Sequence, residues 1–174
     1  MKKATSKQIC LFALLAAVIA VCSQISIKLP SGVPLTLQTF GVALAGYVAG
    51  RKYGAVPTVV YILLGAVGAP VFSNFTGGVN VLIGLTGGFI FGFIFLSTLC
   101  GLFSQKNYVV SVLGGIIGLA LCHILGVIQF KFIYGCTLWS AFLSVSLPYI
   151  VKDILSIAAA KLLSLKLNKV VNRA

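Results

Sequence analysis

The strongest constraint on this chain is a succession of long apolar runs without charged residues, separated by short polar breaks that hold many of its lysines and arginines. Ile9 to Ile27 and Val81 to Phe103 contain no Lys, Arg, Asp or Glu, and Tyr108 to Phe130 contains only His123 as a titratable interruption of that kind. A bilayer crossing needs about 20 consecutive, mostly apolar residues. Composition agrees with this reading: 60% of the residues are hydrophobic and 8% charged, against about 25% charged in soluble domains. A soluble enzyme or soluble binding module is excluded. The 174 residues suit six spans with short loops and leave no room for a separate soluble domain. Energy for any uphill process must then come from a partner or a gradient.

The expected fold is an all-α membrane protein, one integral domain over residues 1–174. Its six transmembrane helices fall at about 9–27, 35–50, 54–69, 81–103, 108–130 and 148–167. Lys2, Lys3 and Lys7 ahead of the first run mimic a signal peptide. No clean small-x-small cleavage site precedes a polar mature domain, so the first helix is read as retained. Lys28, Pro30, Gly32 and Pro34 break the first helix from the second, Arg51-Lys52 closes the second, and Pro57 stands in the first turn of the third, where proline is tolerated. Pro70 ends that helix, and Gln105-Lys106-Asn107 separates the fourth and fifth. Residues 138–147 are apolar but short. With Trp139 suited to a membrane interface, they read as an outer interfacial or re-entrant segment before Pro148 opens the last helix.

Loop cations orient the bundle. One side collects Lys2, Lys3, Lys7, Arg51, Lys52, Lys106, Lys161, Lys166, Lys169 and Arg173, whereas the other keeps Lys28, Lys131 and Lys152. Both termini are therefore expected in the cytoplasm of a multi-pass cell-membrane protein. The same scatter argues against nucleic acid as a partner. The net charge of +12 is spread as punctuation between apolar runs rather than gathered into a basic patch.

Chemistry has little to work with. Cys10, Cys22, Cys100, Cys122 and Cys136 are odd in number, lack CxxC spacing, and read as neither a disulfide framework nor a metal site. With one Asp, no Glu and one His, neither a paired-carboxylate nor a Ser-His-Asp arrangement is expected, and no catalytic residue is assigned. Gly84-Leu85-Thr86-Gly87-Gly88 lacks the Lys-Ser/Thr of a phosphate loop. Gly84, Gly88 and Gly92, like Gly114 and Gly118, stand four apart and suit close helix packing. Ala13 and Ala17, and in an overlapping register Ala16 and Ala20, offer a smooth stripe that either docks a partner helix or packs inside the bundle. Spacing alone leaves both open.

A binding site is the remaining possibility. The uncharged stretch Val71 to Asn80 and the 28–34 break share the outer side in this topology. Gln38, Asn74, Asn80 and Thr86 gather near it, with donors and acceptors for a small polar-edged ligand. Each could equally cap a helix end facing water. Gly77-Gly78 suit a tight turn nearby. Asp153 is the chain's one acidic residue and lies within a span, where ionisable groups are costly and point to function. It could instead serve the helix start or pair with Lys152. His123 reads as a hydrogen-bonded interior residue.

Several blocks resemble a known family. Leu35-Thr-Leu-Gln-Thr-Phe-Gly-Val-Ala-Leu-Ala-Gly46, Leu64-Gly-Ala-Val-Gly-Ala-Pro-Val-Phe72, Gly84-Leu-Thr-Gly-Gly-Phe-Ile-Phe-Gly-Phe93 and Leu147-Pro-Tyr-Ile-Val-Lys-Asp153 occur in the order found in the BioY family. These are the biotin-binding S components of energy-coupling factor transporters. The resemblance spans most of residues 8–165. It implies a six-helix subunit that binds biotin from outside and passes it inward with a transmembrane T component and two cytoplasmic ATPase subunits. It needs no cofactor of its own, ATP being used by the partners. The resemblance also implies substrate contacts from Gln38, Asn74, Gly77, Gly78, Asn80, Thr86 and Asp153. Asp153 would accept from a ureido N–H, and Phe72 and Phe89 would contact the thioether ring and tail. Ala13 and Ala17 would dock the T component.

Three positions depart from the family pattern. Leu85 replaces the proline before Thr-Gly-Gly, Phe89 replaces the tyrosine after it, and Ser156 stands where a lysine usually follows the aspartate. The biotin carboxylate would then pair with Lys152, Lys131 or Lys28, or be left to water. The competing readings are an S component for another vitamin, a self-contained secondary carrier and a purely structural membrane subunit. Ion-coupled carriers place several ionisable groups in the membrane, and this chain offers essentially one.

Overall fold

The computed structural model describes residues 5–171, which are mostly helical. The helices are α1 (Ser6–Gln24), α2 (Gln38–Tyr53), α3 (Val56–Ala66), α4 (Val79–Ile83), α5 (Gly87–Leu102), α6 (Tyr108–Tyr134), α7 (Leu138–Val145) and α8 (Leu147–Val171). Local chemistry sets several boundaries. Thr5 and Gln8 form a reciprocal capping box at the start of α1, and Asn107 accepts from the Val110 amide at the start of α6, each satisfying orphan N–H groups. Thr137 caps α7 in the same way.

The expected all-α chain also carries a small strand pair. β1 (Ser26–Ile27) and β2 (Leu35–Thr36) run antiparallel, with Ser26 opposite Thr36 and Ile27 opposite Leu35. The proline-rich break is thus the tip of a hairpin rather than an irregular linker. In α2, Gly50 adopts φ +76, a left-handed conformation open to glycine at little cost. The helix breaks there, and Arg51–Tyr53 make a separate turn.

The expected helix over 81–103 divides in two. Gly84 takes extended backbone at the end of α4, and α5 restarts at Gly87. Gln129 on α6 stabilises the break by donating from Nε2 to the carbonyls of Leu82, at 3.0 Å, and Gly84, at 2.7 Å. These carbonyls would otherwise face a nonpolar surrounding without a partner. Gly84 therefore belongs to this turn, while Gly88 and Gly92 pack α5 on α6. A Cβ on Gly92 would stand 2.6 Å from Cys122 Cα, and one on Gly118 2.8 Å from Leu96 Cα.

Among the described residues, α1 and α6 are each long and apolar enough to cross a membrane. The pair α7–α8, bent by 49° at Ser146, makes a third crossing if taken as one. The 11 residues of α3 reach only about 16 Å at ~1.5 Å per residue. That is shorter than the expected 54–69 span, because Val67 and Gly68 turn the chain.

The central core joins α1, α2, α3, α5, α6 and α8 around Ile19, Val42, Tyr47, Tyr61, Leu96 and Ile157. Lys161, assigned above to a cytoplasmic loop surface, is instead buried at 1% exposure. Its Nζ donates to the Ser104 carbonyl at 2.6 Å and lies 5.3 Å from the centre of the Tyr47 ring. The negative end of α5 and an aromatic face together offset its desolvation. A smaller cluster of Val33, Val127, Phe130, Ala141, Val145 and Tyr149 sits at the hairpin end of the bundle.

Candidate ligand-binding site

A cavity lies at that end, built by six parts of the chain. The hairpin supplies Val33, Pro34 and Thr36, and the first turn of α2 supplies Gln38 and Thr39. Phe72 and Ser73 come from the loop after α3. The start of α5 gives Thr86, Phe89, Ile90 and Phe93, and α6 gives Leu119, Cys122 and His123. Val145, Tyr149, Lys152 and Asp153 come from the α7–α8 junction. The wall combines aromatic and aliphatic side chains with polar groups from the hairpin, the start of α2, α6 and α8. This is the usual make-up of a small-molecule site.

Its charged edge is a linked set of side chains. Asp153 is buried at 4% exposure. One of its oxygens pairs with Lys152 Nζ, and the other lies 3.3 Å from His123 Nε2. Lys152 Nζ also donates to the Thr36 carbonyl at 2.6 Å. On the far side of the imidazole, Nδ1 is 2.8 Å from Ser146 Oγ. A charge this deep persists only when paired and hydrogen-bonded, and both oxygens of Asp153 are engaged.

Ser146, His123 and Asp153 thus form the Ser-His-Asp chain that residue counting did not lead one to expect. Its geometry does not present a nucleophile. Ser146 is fully buried and forms part of an apolar groove between α6, α7 and α8 rather than the cavity wall.

The cavity brings together Gln38, Phe72, Thr86, Phe89 and Asp153 from the expected site. Gln38 Nε2 donates to Tyr61 Oη at 2.6 Å, and Phe72 packs edge-on against that tyrosine, with ring centres 5.5 Å apart. Asn74, Gly77, Gly78 and Asn80 are not in the wall. Asn74 has φ 58 in a short 3-10 turn over Ser73–Phe75 and accepts from Ser26 Oγ at 3.3 Å, so it ties the loop to the hairpin. Gly77 lies against the Ala69 carbonyl. Gly78 takes φ +95 and donates to the Gly65 carbonyl at 2.7 Å, and Asn80 is exposed on α4. Of the three candidate cations, Lys152 lines the cavity, whereas Lys28 is exposed and Lys131 lies over the Phe132 ring.

Sequence reasoning missed Thr39, Tyr149 and the cavity role of His123. Tyr149, Lys152 and Asp153 share the i, i+3, i+4 spacing of one helix face, a signal that could have added Tyr149 to the site. Tyr149 Oη donates to the Val33 carbonyl at 2.6 Å, closing the hairpin onto α8. On α1, the two alanine registers separate: Ala13 and Ala17 are exposed, while Ala16 is buried and Ala20 partly so.

Comparison with known proteins gives a consistent result. The sequence model described as the BioY family matches residues 1–173. The chain is 41% identical over 155 residues to the biotin transporter BioY of Thermotoga maritima, covering 88% of this chain and 90% of that protein. It is 38% identical over 162 residues to the probable biotin transporter BioY of Pyrococcus horikoshii, covering 93% and 96%. Its fold is similar to that of the S-component for biotin from an ECF-type ABC transporter, with a TM-score of 0.86 at 23% identity, covering 96% of this chain and 95% of that one.

Proposed function

The chain belongs to the BioY family, and from that membership we propose that it binds biotin as the membrane-embedded substrate-specificity subunit of an energy-coupling factor transporter. It is a transport protein and not an enzyme, and it calls for no cofactor. The observation that carries the reading is the cavity wall. Phe72, Phe89, Ile90 and Phe93 line it together with Gln38, Thr39, Lys152 and Asp153. Biotin has the matching division: an apolar thioether ring and chain, a ureido group with two N–H donors, and a carboxylate.

Asp153 accepts from a ureido N–H, each carboxylate oxygen retaining acceptor capacity beyond its present partner. Lys152 has three donors, two of them directed at Thr36 and Asp153, and takes the biotin carboxylate in place of the lysine that Ser156 displaces. Gln38, Thr39 and Thr86 serve the remaining polar edges. Asn74, Gly77, Gly78 and Asn80 shape the loop beside the mouth.

The bundle crosses the cell membrane six times as one domain, with both termini cytoplasmic and the cavity opening outward. This reading is supported by the uneven distribution of loop cations. In it, α4 and α5 form one broken span and α7 lies at the outer interface. The energising partners are a transmembrane T component, docked along Ala13 and Ala17, and two cytoplasmic ATPases. The chain has no phosphate-binding motif, so ATP hydrolysis falls to those partners.

The test is calorimetric titration of biotin into the purified, ligand-stripped chain, with Asp153→Asn in parallel. One-to-one binding, weakened about tenfold or more by loss of a charged hydrogen-bond partner, is the expected result. No heat and no competition by biotin against other vitamins would reject the assignment.

A further inference from the structure

We infer that His123 is a positioning residue for the ligand, holding the Asp153 carboxylate in its receiving orientation through a chain anchored at Ser146. The inference rests on the biotin reading above, in which Asp153 meets the ureido group. It concerns a residue that touches the cavity yet has a separate task.

The carboxylate torsion of an aspartate is broad and roughly two-fold, so a receiving geometry must be imposed by partners. Lys152 holds one oxygen from the hairpin side. His123 Nε2 lies 3.3 Å from the other and approaches from α6. A neutral imidazole has one donor and one acceptor nitrogen, and the partner of one fixes the role of the other. For Nε2–H to donate to Asp153, Nδ1 must accept, and Ser146 Oγ at 2.8 Å is placed to donate to it. Ser146 is fully buried where α7 meets α8, so its hydroxyl has no access to bulk water. Phe89 meets the ring edge-on, with centres 5.7 Å apart and planes at 88°, which limits ring rotation. The polar sequence therefore runs from Ser146 through His123 to Asp153, and its free end is the acceptor offered to the ligand.

A purely structural histidine would need only to fill its space and satisfy Ser146. A positioning histidine must in addition reach Asp153. Two substitutions separate these roles: His123→Asn can keep the Ser146 contact but is too short for Asp153, whereas His123→Gln can extend an amide donor to the carboxylate.

The experiment is biotin titration of the full chain in detergent for both variants and for Ser146→Ala. Each is repeated in the Asp153→Asn background, with melting of the ligand-free protein as the folding check. His123→Asn should weaken binding about tenfold, the loss of one hydrogen bond to a charged group. His123→Gln should restore it to within about threefold, and Ser146→Ala should weaken it about threefold. In the Asp153→Asn background none should add more than about twofold, because residues acting through one another are not additive. Unaltered affinity in both His123→Asn and Ser146→Ala, or losses that multiply with Asp153→Asn, would overturn the inference while leaving biotin as the ligand. Failure of the unaltered chain to bind biotin would overturn the ligand reading and this inference with it.

Discussion

Tyr149 and Val33, 116 positions apart in sequence, are joined by a 2.6 Å hydrogen bond from the phenol to the backbone carbonyl. Together with the Lys152 bond to the Thr36 carbonyl, it fastens the β1–β2 hairpin to the first turns of α8. Both anchors lie in the wall of the cavity, so the hairpin cannot lift without breaking them.

Tyr149→Phe removes one of these fastenings and little apolar volume. A net hydrogen bond contributes about 1 kcal/mol, so biotin should leave roughly fivefold faster while its association rate is nearly unchanged. Release of labelled biotin into excess unlabelled vitamin measures this directly. An unchanged release rate would mean that the hairpin does not retain the ligand.

Lys152→Met tests the assignment of the carboxylate. The variant keeps much of the stem but loses the ammonium, and a charged hydrogen bond contributes about 1.5–3 kcal/mol. Biotin affinity should fall at least about tenfold more than the affinity for biotin methyl ester, whose binding loses only the Thr36 fastening and the Asp153 pair. Lys28→Met, at an exposed position outside the cavity, should bind both ligands as the unaltered chain does. Equal losses for acid and ester in Lys152→Met would place its role in the hairpin fastening and the Asp153 pair alone.

The helices were legible in the sequence where a long apolar run met a capping residue, as at Asn107 before α6, whereas the far end of that helix passes the expected Phe130 and closes only at Gly135. The break at Gly84 was not, because it depends on Gln129, 45 residues away, supplying donors to the freed carbonyls. The site divides in the same way. Asp153 stood out because a lone acid in an apolar helix needs a reason. Its partner His123 did not, since nothing local indicates that α6 and α8 meet at that pair. Asn74, Gly77, Gly78 and Asn80 enter the expected site through the outer position of their loop and the family resemblance, and the turn around Gly68 and the hydrogen bond from Gly78 to Gly65 hold that loop along α3, beside the cavity wall. The burial of Lys161 was equally hidden, because a lysine near a helix end reads as a loop cation until the Ser104 carbonyl and the Tyr47 ring are seen around it.

Gly92→Ala probes the α5–α6 seam. The new Cβ would lie 2.6 Å from Cys122 Cα, a contact that only a backbone shift can relieve. Overpacking of this kind costs about 1–3 kcal/mol. The ligand-free protein should therefore melt several degrees lower in detergent. Biotin affinity should fall as well, since Phe93 and Cys122 at this seam line the cavity. A melting temperature equal to that of the unaltered chain would show that the two helices have slack at this point.

The two alanine registers of α1 give the prediction that separates binding from transport. Ala13 and Ala17 are exposed, whereas Ala16 is 3% exposed beside the fully buried Ile19. A small exposed stripe lets another helix approach closely in a bilayer. Ala13→Leu should therefore leave biotin binding and melting of the isolated chain unchanged, yet abolish co-purification with a T component and biotin uptake by whole cells. Ala16→Leu adds the same bulk one register inward, where overpacking costs about 1–3 kcal/mol, and should lower the melting temperature. If Ala13→Leu assembles and transports normally, the exposed stripe faces lipid alone and the T component docks elsewhere. If it fails to bind biotin, the stripe supports the fold of the subunit itself.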